Sequence, residues 1–319
     1  MLLFGTFGVV CLKCWGKRKC IMNGVKFLVC IRGLEDMNVM YCGDKNIAEG
    51  LIISVMSLVK QVKEELHIYV LTMYYVDDDR VCEPLDNDIV RNLQTYIRAY
   101  NEKSTVKLID VSRLFDEEMP LANMGTRFTP CCMLRLYADR VEELPDRLMY
   151  LDTDVICRMD CKDFYYQDIE ECELIGVLDN YGKWFFRRNP FRMDYLNSGV
   201  LLMNLKKMRE TGLLEKCRKR CAVKKMFMPD QSALNKLATK KRYVPRRFNE
   251  QQRLRNDTVF QHFTTRILLL PKPHIQTVKP WHMDKLHSVL KLHEYDELLM
   301  EYESIRCDMI SGEAKRSER

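Results

Sequence analysis

Hydrophobic and polar residues follow two alternating patterns from residue 37 onward. Short apolar runs typical of buried strands are separated by longer segments in which apolar residues recur every three or four positions, as on one face of a helix. In the segment 47–66, for example, Leu51, Val55 and Leu58 share one helical face. Because strands that alternate with helices form crossover units around a largely parallel sheet, the pattern predicts an α/β fold.

The predicted elements extend over most of the chain. Predicted strands lie at 38–42, 67–73, 106–111, 147–151, 174–178 and 197–203, and predicted helices lie at 47–66, 87–100, 131–141 and 230–238. Residues 282–302 again have helical spacing and precede a polar tail. We therefore divide the chain into an N-terminal appendage at 1–36, an α/β domain at 37–282 and a C-terminal helical extension at 283–319.

The first twelve residues are apolar, but no positively charged segment precedes them. They are also fewer than the about 20 apolar residues that a membrane-spanning helix needs. A basic stretch follows at 13–20, and no strand pattern is recognised before Met37. We interpret residues 1–36 as a start-site artefact or as a weak membrane-surface appendage.

The composition is that of an ordinary globular protein, so the function must be sought in a local site. The chain has 319 residues, of which 47% are hydrophobic and 30% are charged, so it is long enough for a sizeable core and is neither collagen-like nor mainly disordered. Its 14 cysteines are too sparse for a disulfide scaffold, which favours a reduced, cytoplasmic protein. The Cys11–Cys14 pair has no second pair after it, which favours thiols over a zinc site.

Positive charge is concentrated in one segment. Residues 205–255 contain seventeen Lys and Arg against four acids, whereas the whole chain has a net charge of only +6. This asymmetry indicates an anionic partner, such as a lipid headgroup surface or a phosphorylated acceptor, with a solvated basic helix pair as the alternative. No nucleic-acid module accompanies the charge, so nucleic acid is not expected as a partner.

Two carboxylates directly follow a predicted buried strand in the segment LMYLDTDV at 148–155. Open α/β sheets place ligands at the carboxyl ends of their strands. Asp152 and Asp154 could share one divalent cation there, and that cation could neutralise a diphosphate. This motif alone is weak, because acidic residues commonly end strands as solvated turns.

Four further polar segments lie beside apolar elements. They are NSGVLLMN at 197–204, PDQSALN at 229–235, QHFT at 261–264 and VKPWH at 278–282. Each has a purely structural interpretation, such as a turn, a helix N-cap, a hydrogen-bonded strand histidine or a core tryptophan. Their joint occurrence in this order is harder to explain structurally.

With the DxD motif, these segments resemble family 8 glycosyltransferases, the retaining enzymes of the bacterial lipopolysaccharide galactosyl- and glucosyltransferase type. The resemblance covers about residues 38–282. It implies a GT-A fold and the transfer of a hexose from a UDP-sugar to a glycan or glycolipid acceptor. It also implies Mn²⁺, with Mg²⁺ as the alternative, and a cytoplasmic protein that is peripheral at the inner membrane face.

The resemblance also implies residue roles. Asp152, Asp154 and His262 match the Mn²⁺ ligands. The other matches are Asp44 and Asn46 for the nucleoside, Arg135 for the donor sugar, Asn197, Asp230 and Gln231 around the sugar ring and its reacting carbon, Asp179 for the acceptor, and Lys279 for the departing phosphate. Because Gln231 is an amide and a poor nucleophile, we favour front-face substitution over double displacement as the route to retention.

The chain departs from the family pattern after His262. Thr265 stands where a glycine is typical, and an insertion at 267–277 precedes Lys279. Arg266 and Lys272 are therefore alternatives to Lys279 as the phosphate contact.

Two other functions remain in competition. Asp152-Thr153-Asp154-Val155 also fits the first motif of haloacid-dehalogenase-like phosphatases, in which the first Asp is the nucleophile. That motif normally follows the first strand of the fold, whereas here it follows at least three. The second alternative is a non-catalytic adaptor with a GT-A shell that binds membrane through the basic segment.

Overall fold

A computed structural model describes residues 18–22, 25–29, 36–78, 80–126, 129–182, 194–268 and 274–310. The chain forms two compact units, residues 1–35 and 36–319. Within the first unit, β1 (Arg18–Met22) and β2 (Val25–Val29) pair in antiparallel fashion. The prediction of no strand before Met37 is therefore wrong. In the sequence the two strands are separated by the dipeptide Asn23-Gly24, which is typical of two-residue hairpin turns.

The second unit contains a seven-stranded mixed sheet in the order β12-β10-β11-β8-β3-β4-β7. Strand β3 pairs in parallel with β4 and β8, and β4 pairs in parallel with β7, as the α/β pattern predicts. Strand β11 is antiparallel to both of its neighbours. The seven strands are β3 (Met37–Cys42), β4 (Leu66–Thr72), β7 (Thr105–Asp110), β8 (Arg147–Leu151), β10 (Leu174–Leu178), β11 (Leu196–Asn204) and β12 (Lys241–Tyr243).

Among the described residues of the second unit, three antiparallel pairs lie outside this sheet. They are β5 (Tyr75–Val76) with β6 (Val81–Cys82), β9 (Val155–Cys157) with β13 (Phe260–His262), and β14 (Arg266–Leu268) with β15 (His274–Gln276). The last pair lies within and beside the predicted insertion at 267–277. The two described ends of that insertion therefore pair with each other.

Every segment predicted as helical contains helical structure, and the bounds agree within one residue for the segments predicted at 87–100 and 230–238. The helices are α1 (Ala48–Gln61), α2 (Asn87–Tyr100), α3 (Ser112–Glu117), α4 (Lys162–Tyr165), α5 (Leu205–Thr211), α6 (Leu213–Val223), α7 (Pro229–Leu237), α8 (Met283–Lys285) and α9 (Asp296–Ile310). Single turns or short segments of 3-10 helix lie at Lys45–Ile47, Leu121–Asn123, Pro130–Arg140 and Arg246–Phe248, and a π-helix lies at Leu286–Leu290.

Three predicted helices differ from the structure. The helix predicted at 47–66 ends at Gln61, because the backbone adopts an extended conformation at Val62 and β4 begins at Leu66. The helix predicted at 131–141 is 3-10 rather than α, and the segment predicted as one helix at 282–302 is broken between Leu290 and Asp296.

The core lies on both faces of the sheet. Alternate residues of β3 point to opposite sides: Met37, Val39 and Tyr41 join the apolar cluster on the α1, α2 and α9 side, whereas Met40 and Cys42 join the cluster under α6, α7 and the segment Pro130–Arg140. Burial of both faces explains why the strands read as continuous apolar runs.

Strand pairing brings distant segments to one edge of the sheet. Because β11 is antiparallel to β8, its first residues lie at the carboxyl end of β8, where the Asp152 N–H donates to the Gly199 carbonyl at 2.8 Å. The β9–β13 pair places His262 opposite Val155, which is the residue directly after Asp154. The polar segment Asn197-Ser198-Gly199 is therefore the start of an antiparallel strand rather than a turn.

The C-terminal helix α9 belongs to the same compact unit as the sheet. Tyr302 on α9 is 1% exposed within the core. Nearby, Glu301 pairs with Lys60 of α1 and accepts a hydrogen bond from the Tyr96 hydroxyl at 2.6 Å. In the described residues, no helix has the length and apolar character needed to cross a membrane.

We expect Tyr302→Ala to lower the free energy of unfolding by about 3–5 kcal/mol, because it removes a large buried ring and leaves a cavity. Met300→Ala is the matched control, since Met300 is 59% exposed on the same helix and should change stability by less than about 0.5 kcal/mol. Urea denaturation followed by circular dichroism measures both. Equal stability of the two variants would show that α9 is not held by its buried face.

Candidate active site

Asp152, Asp154 and His262 converge at the carboxyl end of β8. The Nε2 atom of His262 lies 3.2 Å from Asp154 Oδ1 and 3.6 Å from Asp152 Oδ2. One ligand atom from each residue lies within 4.8 Å of those of the other two. The structure thus brings together the three residues that the sequence resemblance implies as metal ligands.

Asp152 is oriented by two donors on one of its oxygens. Its Oδ1 accepts hydrogen bonds from the Tyr150 hydroxyl at 2.6 Å and from Arg135 Nη2 at 2.9 Å. The Arg135 guanidinium also lies over the Tyr150 ring, 3.9 Å from its centroid, and donates to the Ser198 carbonyl at 2.6 Å. Because Oδ1 is engaged in this way, Oδ2 is the oxygen that faces His262.

His262 is oriented by Asn249, a fully buried residue that the sequence analysis missed. Asn249 Nδ2 donates to Asn197 Oδ1 at 2.9 Å, which leaves Asn249 Oδ1 to accept from His262 Nδ1 at 3.1 Å. A proton on Nδ1 puts the lone pair of the imidazole on Nε2, toward the carboxylates. Asn249 follows the short helix Arg246–Phe248, and no local pattern distinguishes it from a surface asparagine.

Gly199 leaves open the space between Asp152 and His262. A Cβ at this position would lie 2.1 Å from His262 Cε1 and 2.6 Å from Asp152 Oδ2. A side chain would therefore occupy the volume between the carboxylate and the imidazole. Two carboxylate oxygens and one imidazole nitrogen around a gap of this kind are a donor set that fits a divalent cation such as Mn²⁺.

Lys279 reaches the site despite the insertion before it. Its Nζ pairs with Asp154 Oδ2 and donates to the Phe263 carbonyl at 3.1 Å. Burial raises the pKa of Asp154, but this effect is outweighed, with the Lys279 charge the largest opposing cause, so the pKa lies well below its usual range and this carboxylate is ionised. Of the two alternatives, Arg266 donates to the Gln252 carbonyl, and Lys272 lies outside the described residues.

The residues predicted around the sugar form a second buried cluster. Asp179 Oδ2 accepts from Asn197 Nδ2 at 2.8 Å and from Gln231 Nε2 at 3.3 Å. Gln231 Oε1 in turn accepts from the Ser198 N–H at 2.8 Å. Since Asn197 also contacts Asn249, which contacts His262, this cluster and the predicted metal ligands form one continuous hydrogen-bond network.

Asp230 joins the network through Arg135. Its Oδ2 lies 3.3 Å from Arg135 Nε and accepts from the Ser198 hydroxyl at 3.2 Å. Burial raises the pKa of Asp230 above its ordinary value, and the Arg135 charge opposes this effect. Arg135 therefore bridges Asp152 and Asp230.

Asp44 and Asn46 lie at the carboxyl end of β3, the strand beside β8. Asp44 Oδ1 accepts the Asn46 N–H at 3.0 Å and so caps the short helix Lys45–Ile47. Their described contacts include neither the metal-ligand residues nor the Asp179 cluster. They share the edge of the sheet with the site without being part of its network.

Comparison with known proteins identifies the family. The profile described as "Glycosyl transferase family 8" matches residues 38–285. The chain belongs to glycosyltransferase family 8. Among curated relatives, a lipopolysaccharide 1,2-glucosyltransferase of Escherichia coli is 25% identical over 304 residues, covering 82% of this chain and 84% of the relative.

Two further similarities extend this finding. A lipopolysaccharide 1,3-galactosyltransferase of Salmonella typhimurium is 24% identical over 264 residues, covering 78% of this chain and 74% of the relative. Among solved structures, the galactosyltransferase LgtC in complex with donor and acceptor sugar analogues aligns with a TM-score of 0.56 at 19% identity, covering 83% of this chain and 96% of LgtC. The predicted family, GT-A fold and enzyme class, a hexosyltransferase of family 8 type, are confirmed, and the phosphatase alternative is set aside.

We expect Gly199→Ala to abolish Mn²⁺ binding at this site, because the new methyl group would press on His262 and Asp152. Gly125→Ala is the matched control, since nothing lies within 4 Å of a Cβ built there. Calorimetric titration of each variant with Mn²⁺ and UDP measures the effect. Unchanged Mn²⁺ affinity in Gly199→Ala would place the cation elsewhere.

We expect Asn249→Ala to weaken Mn²⁺ affinity by about 10–100-fold, the usual cost of losing a group that orients a metal-binding histidine. Asn256→Ala, at an exposed asparagine nearby in sequence, should leave the affinity unchanged. The same titration tests both variants, with circular dichroism to verify that they are folded. Wild-type affinity in Asn249→Ala would show that His262 needs no such support.

Proposed function

We propose that this protein transfers a hexose, with retention of configuration, from a UDP-sugar to a glycan or glycolipid acceptor of lipopolysaccharide, using Mn²⁺. The observation that carries the proposal is the convergence of Asp152, Asp154 and His262, with Lys279 beside them. The sugar class and acceptor class follow the named relatives, which are lipopolysaccharide glucosyl- and galactosyltransferases. LgtC, which shares the fold, has been solved with donor and acceptor sugar analogues.

Several residues around the gap between Asp152, Asp154 and His262 contribute to binding the donor. When bound by Asp152, Asp154 and His262, the cation supplies positive charge that stabilises the departing diphosphate. Lys279 Nζ adds a second positive charge from the Asp154 side of the site. In this proposal Arg135, which pairs with Asp152 and Asp230, is the residue next to the donor sugar.

The contacts of Gln231 support front-face substitution. Its two amide atoms are fixed by Ser198 and Asp179, and an amide is a poor nucleophile. The carboxylates nearby are also engaged, Asp179 Oδ2 by two amide donors and Asp230 by Arg135. Double displacement would need one of them as a nucleophile at the sugar carbon. In front-face substitution the acceptor hydroxyl forms the new bond on the side from which the phosphate leaves, and its proton passes to that phosphate.

The surface of α6 and the residues after it supports a peripheral position at an anionic membrane, on the cytoplasmic face. Lys216, Lys224 and Lys225 are exposed there. Between and beside them, Val223 is 83% exposed and Phe227 is 64% exposed. Basic residues attract anionic headgroups, and exposed apolar side chains add favourable contact with the acyl boundary.

We expect the protein with Mn²⁺ to release UDP slowly from UDP-glucose or UDP-galactose without an acceptor, because water replaces the missing hydroxyl. Asp152→Asn and Asp154→Asn should abolish both this release and metal-dependent UDP binding. Asp257→Asn, at an exposed aspartate, should behave as wild type. A coupled assay for UDP across a panel of UDP-sugars measures the release.

Other results of this assay separate the alternatives. Absence of UDP release and UDP binding across the panel would contradict the proposed function. Salt-sensitive binding to anionic liposomes without any turnover would instead support the adaptor.

A further inference from the structure

A second group of metal-binding side chains lies in the C-terminal region, outside the site described above. His287 Nε2 lies 2.6 Å from Asp296 Oδ1, and His293 Nδ1 lies 3.1 Å from Asp296 Oδ2. The two imidazole rings are stacked, with centroids 4.2 Å apart and planes 23° from parallel. Two imidazole nitrogens and one carboxylate oxygen thus lie within 4.8 Å of one another.

The backbone between the two histidines is unusual. His287 lies in the π-helix Leu286–Leu290, and Lys291 directly after it adopts left-handed dihedrals of φ 53° and ψ 39°. Within the described ranges, Lys291 is the one residue other than glycine with positive φ. Such conformations are unfavourable for residues with a Cβ and persist where the surrounding structure holds them. This turn folds His293 back over His287.

Both ends of this segment are anchored in the core. Leu286 is 1% exposed on one side, and Tyr295 is 5% exposed on the other. The side chains of the cluster themselves remain open to solvent, at 34% for His287, 64% for His293 and 32% for Asp296. The cluster is therefore held in place by its backbone and is accessible to an ion in solution.

The ligand chemistry differs from that of the DxD site. Two imidazoles with one carboxylate form a ligand set that zinc-class cations favour, meaning Zn²⁺ and chemically similar divalent transition-metal ions. A further coordination position is left for water. Neutral imidazole is the form that binds a metal.

We propose that His287, His293 and Asp296 form a second metal site, specific for a zinc-class divalent cation, that fixes the start of α9 to the turn before it. The site is independent of the donor-binding site, since it shares no ligand with Asp152, Asp154 or His262. Its effect is structural. A cation bound there links the π-helix to the first residue of α9, whose buried face completes the core beside α1.

Zinc binding by the full-length, chelator-treated protein tests the proposal. To remove the DxD site from the measurement, all variants carry Asp152→Asn and Asp154→Asn. This background should bind one zinc ion in equilibrium dialysis, and adding His293→Asn should weaken that binding at least tenfold. His293 is mostly exposed, so its replacement should not disturb folding. His274→Asn is the matched control, because it removes an exposed histidine elsewhere in the chain.

Two further measurements complete the test. Cobalt bound in place of zinc should show visible absorption bands that disappear in His287→Asn, and zinc should raise the melting temperature of the background and of His274→Asn but not of His293→Asn. Equal zinc binding in the His293→Asn and His274→Asn variants, or no saturable binding in the background, would overturn the proposal. Because the DxD site is disabled throughout, these outcomes are separate from those that test sugar transfer.

Discussion

The active site depends on holding two carboxylates, Asp152 and Asp154, close together at a poorly exposed edge of the sheet. Like charges at such a distance repel, and buried charges are tolerated only when they are paired. The structure meets this constraint by pairing each carboxylate with one basic side chain. Arg135 binds Oδ1 of Asp152, and Lys279 binds Oδ2 of Asp154.

This division of contacts leaves one oxygen of each carboxylate on the side of His262. The pairing therefore stabilises the fold and also aims the donor atoms. Gly199 keeps the space between them open, and the antiparallel strand that starts there places its backbone against Asp152. In the proposed function, the cation binds in this gap between the two carboxylates and the imidazole.

A second consequence is that the predicted metal ligands and the residues predicted around the sugar are connected through hydrogen bonds. The buried path runs from His262 through Asn249 and Asn197 to Asp179. Each amide in this path donates at one end and accepts at the other, so turning any one of them would break two hydrogen bonds. In the proposed function, the same path keeps the donor diphosphate and the acceptor side of the site at a fixed distance and orientation.

The sequence by itself was sufficient for the α/β fold, for most strands and helices, and for the family, because these depend on local hydrophobic period and on short motifs. It also named Asp152, Asp154, His262 and Lys279, although the insertion before Lys279 left that residue in competition with Arg266 and Lys272. Tertiary structure decided what local pattern does not encode. The antiparallel course of β11 placed Asn197 at the site, a hydrogen bond across 13 residues gave Asn249 its role, and a left-handed turn at Lys291 brought His287 and His293 together. Each of these depends on contacts between residues far apart in the chain or on one strained backbone conformation, and neither leaves a periodic signal in the sequence.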